Sequence, residues 1–201
     1  MMTEFHFGKL IGKGMERACY ENMDNPNTCF KVSRKEHSKQ TIREGAYFKY
    51  LQKKNISPSF MPKFIGLYET EDSFILEQEC VRNTEEIKTQ TLRDFVLNAS
   101  EEQMVKLEQL LENLREEMLR LNIIVSDMRT TNILVLTYHD KPFKIMIFDG
   151  YGTPEFIPLP NFIPFLGAKK IERQWNKFRR YYNEDLQKKA QNASQNTSVK
   201  C

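Results

Sequence analysis

The segment IIVSDMRTTNILV, residues 123–135, sets two apolar runs around a polar loop that carries Asp127 and, five positions on, Asn132. Asp and Asn hydrogen-bond their own backbone and are common in turns, so the loop also reads as a plain strand connection. A second carboxylate, Asp149, closes the apolar run KIMIF and precedes Gly150, another sequence that suits a turn. Taken together, two carboxylates and a carboxamide at the ends of short strands are hard oxygen ligands of the kind magnesium takes when phosphates fill its other positions. Upstream, LIGKGMERACY places Gly12, Lys13 and Gly14 between two strand-like runs. Backbone amides approach an anion only where no side chain intervenes, so this is either a flap over phosphates or a glycine-bearing hairpin turn. Lys31, in CFKVS, falls on the strand face opposite Phe30 and Val32, where it meets solvent or a partner. Glu44 precedes Tyr47, Phe48 and Leu51 on an inward helical stripe. A carboxylate there is costly unless paired, and Lys31 is the nearest candidate.

These residues need elements to hold them. Residues 5–33 carry short β-type runs broken by glycines and by NMDNPN, which predicts three strands. Ser38 to about Lys54 is helical in pattern, with Pro58 and Pro62 at its exit, and KFIGLYET with SFILEQE predicts a hairpin. TLRDFVLN is a short helix, and Ser100 with Gln103 offers a capping box for a longer one. That helix spaces Met104, Leu107, Leu111, Leu114, Met118 and Leu121 three and four apart, the stripe of a core helix. FKIMIFDG is a buried-type strand. From Tyr151 the chain has four prolines, then a basic helical run over 168–182, then a polar tail. In KKIERQWNKFRRYY, Ile171, Trp175, Phe178 and Tyr182 recur as a core-facing stripe, although its basic and aromatic side chains are also of the kind that meets nucleic acid.

With 201 residues, 40% of them hydrophobic, the chain suits one compact domain or two small lobes. Its 30 Lys plus Arg against 27 Asp plus Glu leave a net charge of +3, which is too small to indicate a nucleic-acid partner. Cys19, Cys29, Cys80 and Cys201 form no CxxC pair, so neither a zinc nor a redox motif is expected. No charged leader or membrane-length apolar stretch is read, and the expected location is cytoplasmic.

In order, Gly12 and Gly14, Lys31, Glu44, Asp127 with Asn132, and Asp149 with Gly150 resemble the signature series of the protein-kinase-like fold. More narrowly, IGKGMERACY, the following NPN, a truncated second half and RQWNKFRRYY resemble the small bacterial YrbL family, named for the PhoP regulatory network. The resemblance implies an α+β, two-lobed architecture. Residues 1–79 would form a small antiparallel β-sheet N-lobe with one helix, residues 80–190 a truncated, mainly helical C-lobe, and 191–201 a disordered tail, with the cleft between the lobes. It further implies ATP and Mg2+ as cofactors. Gly12, Lys13 and Gly14 would cover phosphates, Lys31 would hold them and be oriented by Glu44, and Glu77, Glu79 and Cys80 would lie in the hinge beside adenine. Asp127 would accept the acceptor's proton or orient it, Arg129 would neutralise the transferred group, and Asn132 and Asp149 would hold the metal. Four departures stand out: Arg17 occupies the third glycine position, Val125 and Ser126 replace the His-Arg that precedes the catalytic Asp, Lys31 to Glu44 spans only thirteen residues, shorter than usual for that ion pair, and no A-P-E segment follows. The functional expectation is a phosphotransferase with an unknown acceptor, or a pseudokinase acting as a nucleotide-responsive module with a regulatory protein partner.

Overall fold

The computed structural model describes residues 4–152, 160 and 163–198. Most of the proline-rich segment and the last three residues of the polar tail lie outside the described residues. The chain divides into two compact units: Met1–Ser57 with Met61–Val81, and Pro58–Phe60 with Arg82–Cys201.

In the first unit, strands β1 (Phe7–Lys13), β2 (Arg17–Asn22) and β3 (Thr28–Arg34) precede helix α1 (Lys39–Lys53), and β4 (Phe64–Glu69) and β5 (Ser73–Glu79) follow it. All pairings are antiparallel, in the order β1-β2-β3-β5-β4. Because side chains alternate across a strand, each face has its own content. On one face Phe30 meets Phe5 and Phe7 edge-on, with ring centroids 5.5 and 5.4 Å apart. The other face receives α1: Ser33 Oγ donates to Thr41 Oγ1 at 2.9 Å, and Phe48 stacks on Phe64 at 5.1 Å. Helix and sheet approach so closely that a Cβ on Gly45 would come within 2.7 Å of Leu67 Cδ2. The inward stripe of α1 therefore contains a glycine and the polar Thr41 and Glu44 as well as Tyr47, Phe48 and Leu51.

The second unit contains β6 (Ile87–Thr91), α2 (Leu92–Asn98), α3 (Glu101–Leu121), β7 (Ile133–Tyr138), β8 (Lys141–Ile147) and α4 (Pro164–Ser198). The three strands form an antiparallel sheet in the order β6-β7-β8. The capping box is formed: Ser100 N donates to Gln103 Oε1 at 2.7 Å, and Gln103 N donates to Ser100 Oγ at 3.2 Å. Helix α3 buries Leu107, Leu111, Leu114 and Met118 and closes on Asn122, whose φ of 53° is left-handed. It thus delivers the chain directly into Ile123, Ile124 and Val125, all fully buried. Strands β7 and β8 turn through His139 and Asp140, both at positive φ, as a two-residue I′ hairpin demands.

Three differences from the sequence reading have physical causes. Strand β6 was not anticipated, because IKTQT is short and mostly polar and holds its place by pairing with β7. Pro58–Phe60 belongs with the second unit because Ser59 donates to both Glu117 oxygens, at 2.9 and 2.6 Å, and Ile147 N donates to Phe60 O at 2.8 Å. Helix α4 runs to Ser198, beyond position 191 where polar composition suggested disorder. Helical hydrogen bonds are local and need no core, and the alanines and glutamines there tolerate the helix.

Candidate functional site

The candidate residues fall into two groups, one in each unit. In the first, β3 places Lys31 on the α1 face, and its Nζ lies 3.2 Å from Glu44 Oε1. Both side chains are more than nine-tenths buried, at 7% and 1% exposure. The other Glu44 oxygen pairs with Arg17, itself 9% exposed. One buried carboxylate thus receives two cations, and the residue at the third glycine position reaches Glu44 from β2. The sequence separation of 27 residues carries no periodic signal, so Arg17 was legible only as a departure from the glycine pattern.

Gly12 and Lys13 lie in β1, opposite Cys19 and Ala18, and Gly14 N closes the turn on Arg17 O at 2.8 Å. A Cβ on Gly12 would meet nothing within 4 Å, and one on Gly14 only Arg17 O at 3.7 Å. The backbone there is open to approach. Of the residues expected in the hinge, Glu77 stands opposite Phe30, on the aromatic face and not the Lys31 face. Its carboxylate accepts from Thr28 Oγ1 at 2.9 Å, Asn22 Nδ2 at 3.1 Å and Tyr68 Oη at 3.2 Å. Burial and the Glu77 charge together push the Tyr68 phenol above its ordinary range. Glu79 accepts from Lys63 N at 3.1 Å, and Cys80 N donates to Asn27 O at 2.8 Å. Gln78, opposite Cys29 and so on the Lys31 face, is 3% exposed, and its Oε1 has no hydrogen-bond partner among the described residues.

In the second unit, Asn132 Nδ2 donates to the Asp127 backbone oxygen at 3.1 Å and to Asp127 Oδ2 at 3.2 Å. The five-residue spacing is thereby closed into a ring through the Asn132 amide nitrogen. Arg129 Nε donates to the other Asp127 oxygen at 2.9 Å and stacks over Tyr181, 5.9 Å from the ring centre. Asp149 Oδ1 accepts from Gly150 N at 2.6 Å. Gly150 has φ +90°, and a Cβ there would lie 2.9 Å from the Asp127 carbonyl oxygen. Only glycine permits that approach, and Ser126 secures it by donating from N (2.7 Å) and Oγ (3.0 Å) to Gly150 O. Asp127, Asn132 and the Asp149–Gly150 corner are therefore neighbours.

Asp185 of α4 is a further participant. It is 1% exposed, accepts from Thr130 Oγ1 at 2.6 Å, and pairs with Arg93 of α2 at 3.2 Å. The loop between Asp127 and Asn132 is thus anchored to two helices through a residue that lies just past the basic run, in the same helix α4. On the same helix Ile171, Trp175, Phe178 and Tyr182 are buried, and Arg179 pairs with Glu108 at 2.9 Å, which is the arrangement of a core-closing helix.

Among the described residues no group of three or more His, Cys, Asp or Glu could hold a metal ion, and no helix is long and apolar enough to cross a membrane. The donor set does suit magnesium that completes its shell with phosphate oxygens, since Asp149 and Asn132 supply two hard oxygens and such ions are held by few protein ligands.

Residues 5–183 match the family described as PhoP regulatory network protein YrbL. No curated protein matches the chain. Among solved structures it is similar to Rad53 1-466 in complex with AMP-PNP, with 18% identity and a TM-score of 0.56, over 73% of this chain and 38% of that one. This chain therefore spans well under half the length of that relative. At this identity the likeness establishes the fold alone: α+β and protein-kinase-like, with an antiparallel sheet first and a mainly helical part after it.

Proposed function

Because the chain belongs to the YrbL family of PhoP regulatory network proteins and has a protein-kinase-like fold, we propose that it binds Mg-ATP and transfers a phosphoryl group to an acceptor that its sequence does not identify. The observation that carries this reading is the Lys31–Glu44 pair at 3.2 Å with both partners buried. A lysine is not withdrawn from water without purpose, and an ammonium fixed by a carboxylate is a pre-oriented phosphate contact. In this reading Lys31 holds phosphate, the open backbone at Gly12 and Gly14 covers it, and Asn132 and Asp149 hold magnesium, which supplies charge neutralisation when bound. Asp127 orients the acceptor hydroxyl, and Arg129 offsets charge on the transferred group. Phosphoryl transfer asks mainly for positioning and electrostatics, and these side chains suit both. In this reading Glu77, Glu79 and Cys80 form the hinge beside adenine, with the Glu77 carboxylate turned to the other face of the sheet.

One observation favours the second reading, a pseudokinase. Both Asp127 oxygens are already engaged, one by Arg129 and one by Asn132. Thermal unfolding with ATP, with and without magnesium, tests binding: at one hundred times the dissociation constant the nucleotide adds about 2.7 kcal/mol of stability. An unchanged transition at millimolar ATP would remove both readings. If binding holds, turnover abolished by Asp127→Ala in a folded protein supports the transferase, and background turnover in the wild type supports the pseudokinase.

A further inference from the structure

Three cysteines that form no motif in the sequence share one face of the first unit's sheet. Cys19 pairs with Lys31 across β2 and β3, and Cys29 stands two positions before Lys31 on β3, so both lie on Lys31's face. Cys29 pairs with Gln78 on β5, and Cys80 continues that alternation just beyond the strand, where its N–H extends the ladder to Asn27 O at 2.8 Å. Cys29 is buried, Cys19 and Cys80 are half-buried, and none is in a disulfide. The Cys29 thiol donates to Glu79 O at 3.9 Å, and Cys19 stands diagonally across from it on the neighbouring strand.

Their environments differ in a way that assigns roles. The hydrogen bond from Cys29 and the positive charges of Lys31 and Arg17 draw the Cys19 thiol below its ordinary range, against an opposing effect of burial. Cys29 is held protonated, first by its hydrogen bonds to Cys19 and Cys80 and then by burial. Thiolate character with partial exposure marks an oxidisable cysteine, and a neighbouring thiol resolves the product.

We infer that Cys19 and Cys29 form a peroxide-sensitive thiol pair on the Lys31 face, with Cys19 the attacked and Cys29 the resolving residue. The Cys19 sulfur attacks one oxygen of hydrogen peroxide, the O–O bond breaks, and hydroxide leaves and is protonated to water, giving a sulfenic acid. Cys29 sulfur attacks Cys19 sulfur, the S–S bond forms as the S–O bond breaks, and the departing hydroxide takes the Cys29 proton. Two thiols are oxidised by two electrons and one peroxide is reduced to two waters. Diagonal neighbours on paired strands lie about 7–8 Å apart, slightly beyond the ~6.8 Å that a relaxed disulfide spans between Cα atoms. Closure therefore draws β2 and β3 together beside Lys31, and the bond is readily reduced.

The test uses the reduced full-length chain, treated with hydrogen peroxide in the presence of glutathione as a competing thiol and mapped by non-reducing peptide mass spectrometry. The expected products are a Cys19–Cys29 cross-link that dithiothreitol reverses and, in Cys29→Ser, a Cys19 sulfenic acid trapped by dimedone. Cys19 oxidising no faster than glutathione, or a cross-link that omits Cys19, would overturn the inference. A second arm, which rests on the nucleotide reading above, compares ATP-induced stabilisation before and after oxidation and expects its loss. If the cross-link forms in a protein that never responded to ATP, the nucleotide reading fails and the thiol pair stands. If ATP stabilises reduced and oxidised protein alike, the pair's placement beside the phosphate contact is refuted.

Discussion

Glu44 shows how much one buried carboxylate can organise. It receives Lys31 on one oxygen and Arg17 on the other at 1% exposure, so removing either cation alone still leaves it a counter-charge. We expect Arg17→Met and Lys31→Met each to cost less than the ~3–5 kcal/mol typical of orphaning a buried charge. The double variant should reach that range and exceed the sum of the singles, because both act on one group. Urea unfolding of the four proteins measures this, and simple additivity would show that Glu44 does not couple them. Glu44 was legible in the sequence because the helical stripe placed a charge where charge is costly, and Lys31, which strand alternation left facing solvent or a partner, followed as its nearest candidate. Arg17 was not, since nothing local says which carboxylate a strand arginine will reach. The Asp127 to Asn132 spacing was legible as well, and the ring of hydrogen bonds within it explains why that spacing is five: the side chain at the far end folds back onto the carboxylate and carbonyl at the near end.

Among the elements, strands β1 to β5, helix α1 and the capped α3 could be read from pattern, because each announces its buried face by period and its ends by turn or cap residues. Strand β6 could not: only Ile87, Thr89 and Thr91 hint at alternation, and its stability comes from β7, where Leu136 pairs with Thr89 from 47 positions on, and no local window contains that partner. Helix α4 was legible as an apolar stripe, but its function as an anchor was not. Asp185 is buried beneath a segment whose composition suggests only a basic surface, and it ties Thr130 at 2.6 Å. Asp185→Asn keeps the shape and removes the charge. We expect it to destabilise the protein by about 1–3 kcal/mol, the range for a buried charged hydrogen bond. Amide exchange should accelerate at Asn132 and Phe148, which are bonded to Arg129 O and Asn132 O, while the core of α3 stays protected. Equal acceleration in α3 would mean that Asp185 supports the unit in general and does not position the loop.

At the scale of the molecule, the candidate residues are divided between two compact units, and the proposed function requires both to act on one nucleotide. The chain carries a single tryptophan, Trp175, which is 7% exposed in the core of the second unit and makes its fluorescence a reporter of that unit's unfolding. Lys31 belongs to the first unit. A ligand stabilises only the parts of a protein whose unfolding releases it. If ATP is held by Lys31 and by the second unit's oxygen ligands together, it must raise the Trp175 transition, and Lys31→Met must diminish that rise even though the substitution lies in the other unit. Asp149→Asn should remove only the part of the rise that magnesium adds. A Trp175 transition that shifts equally in wild type and Lys31→Met would place the nucleotide in the second unit alone, and the phosphate contact assigned to the buried lysine would have to be abandoned.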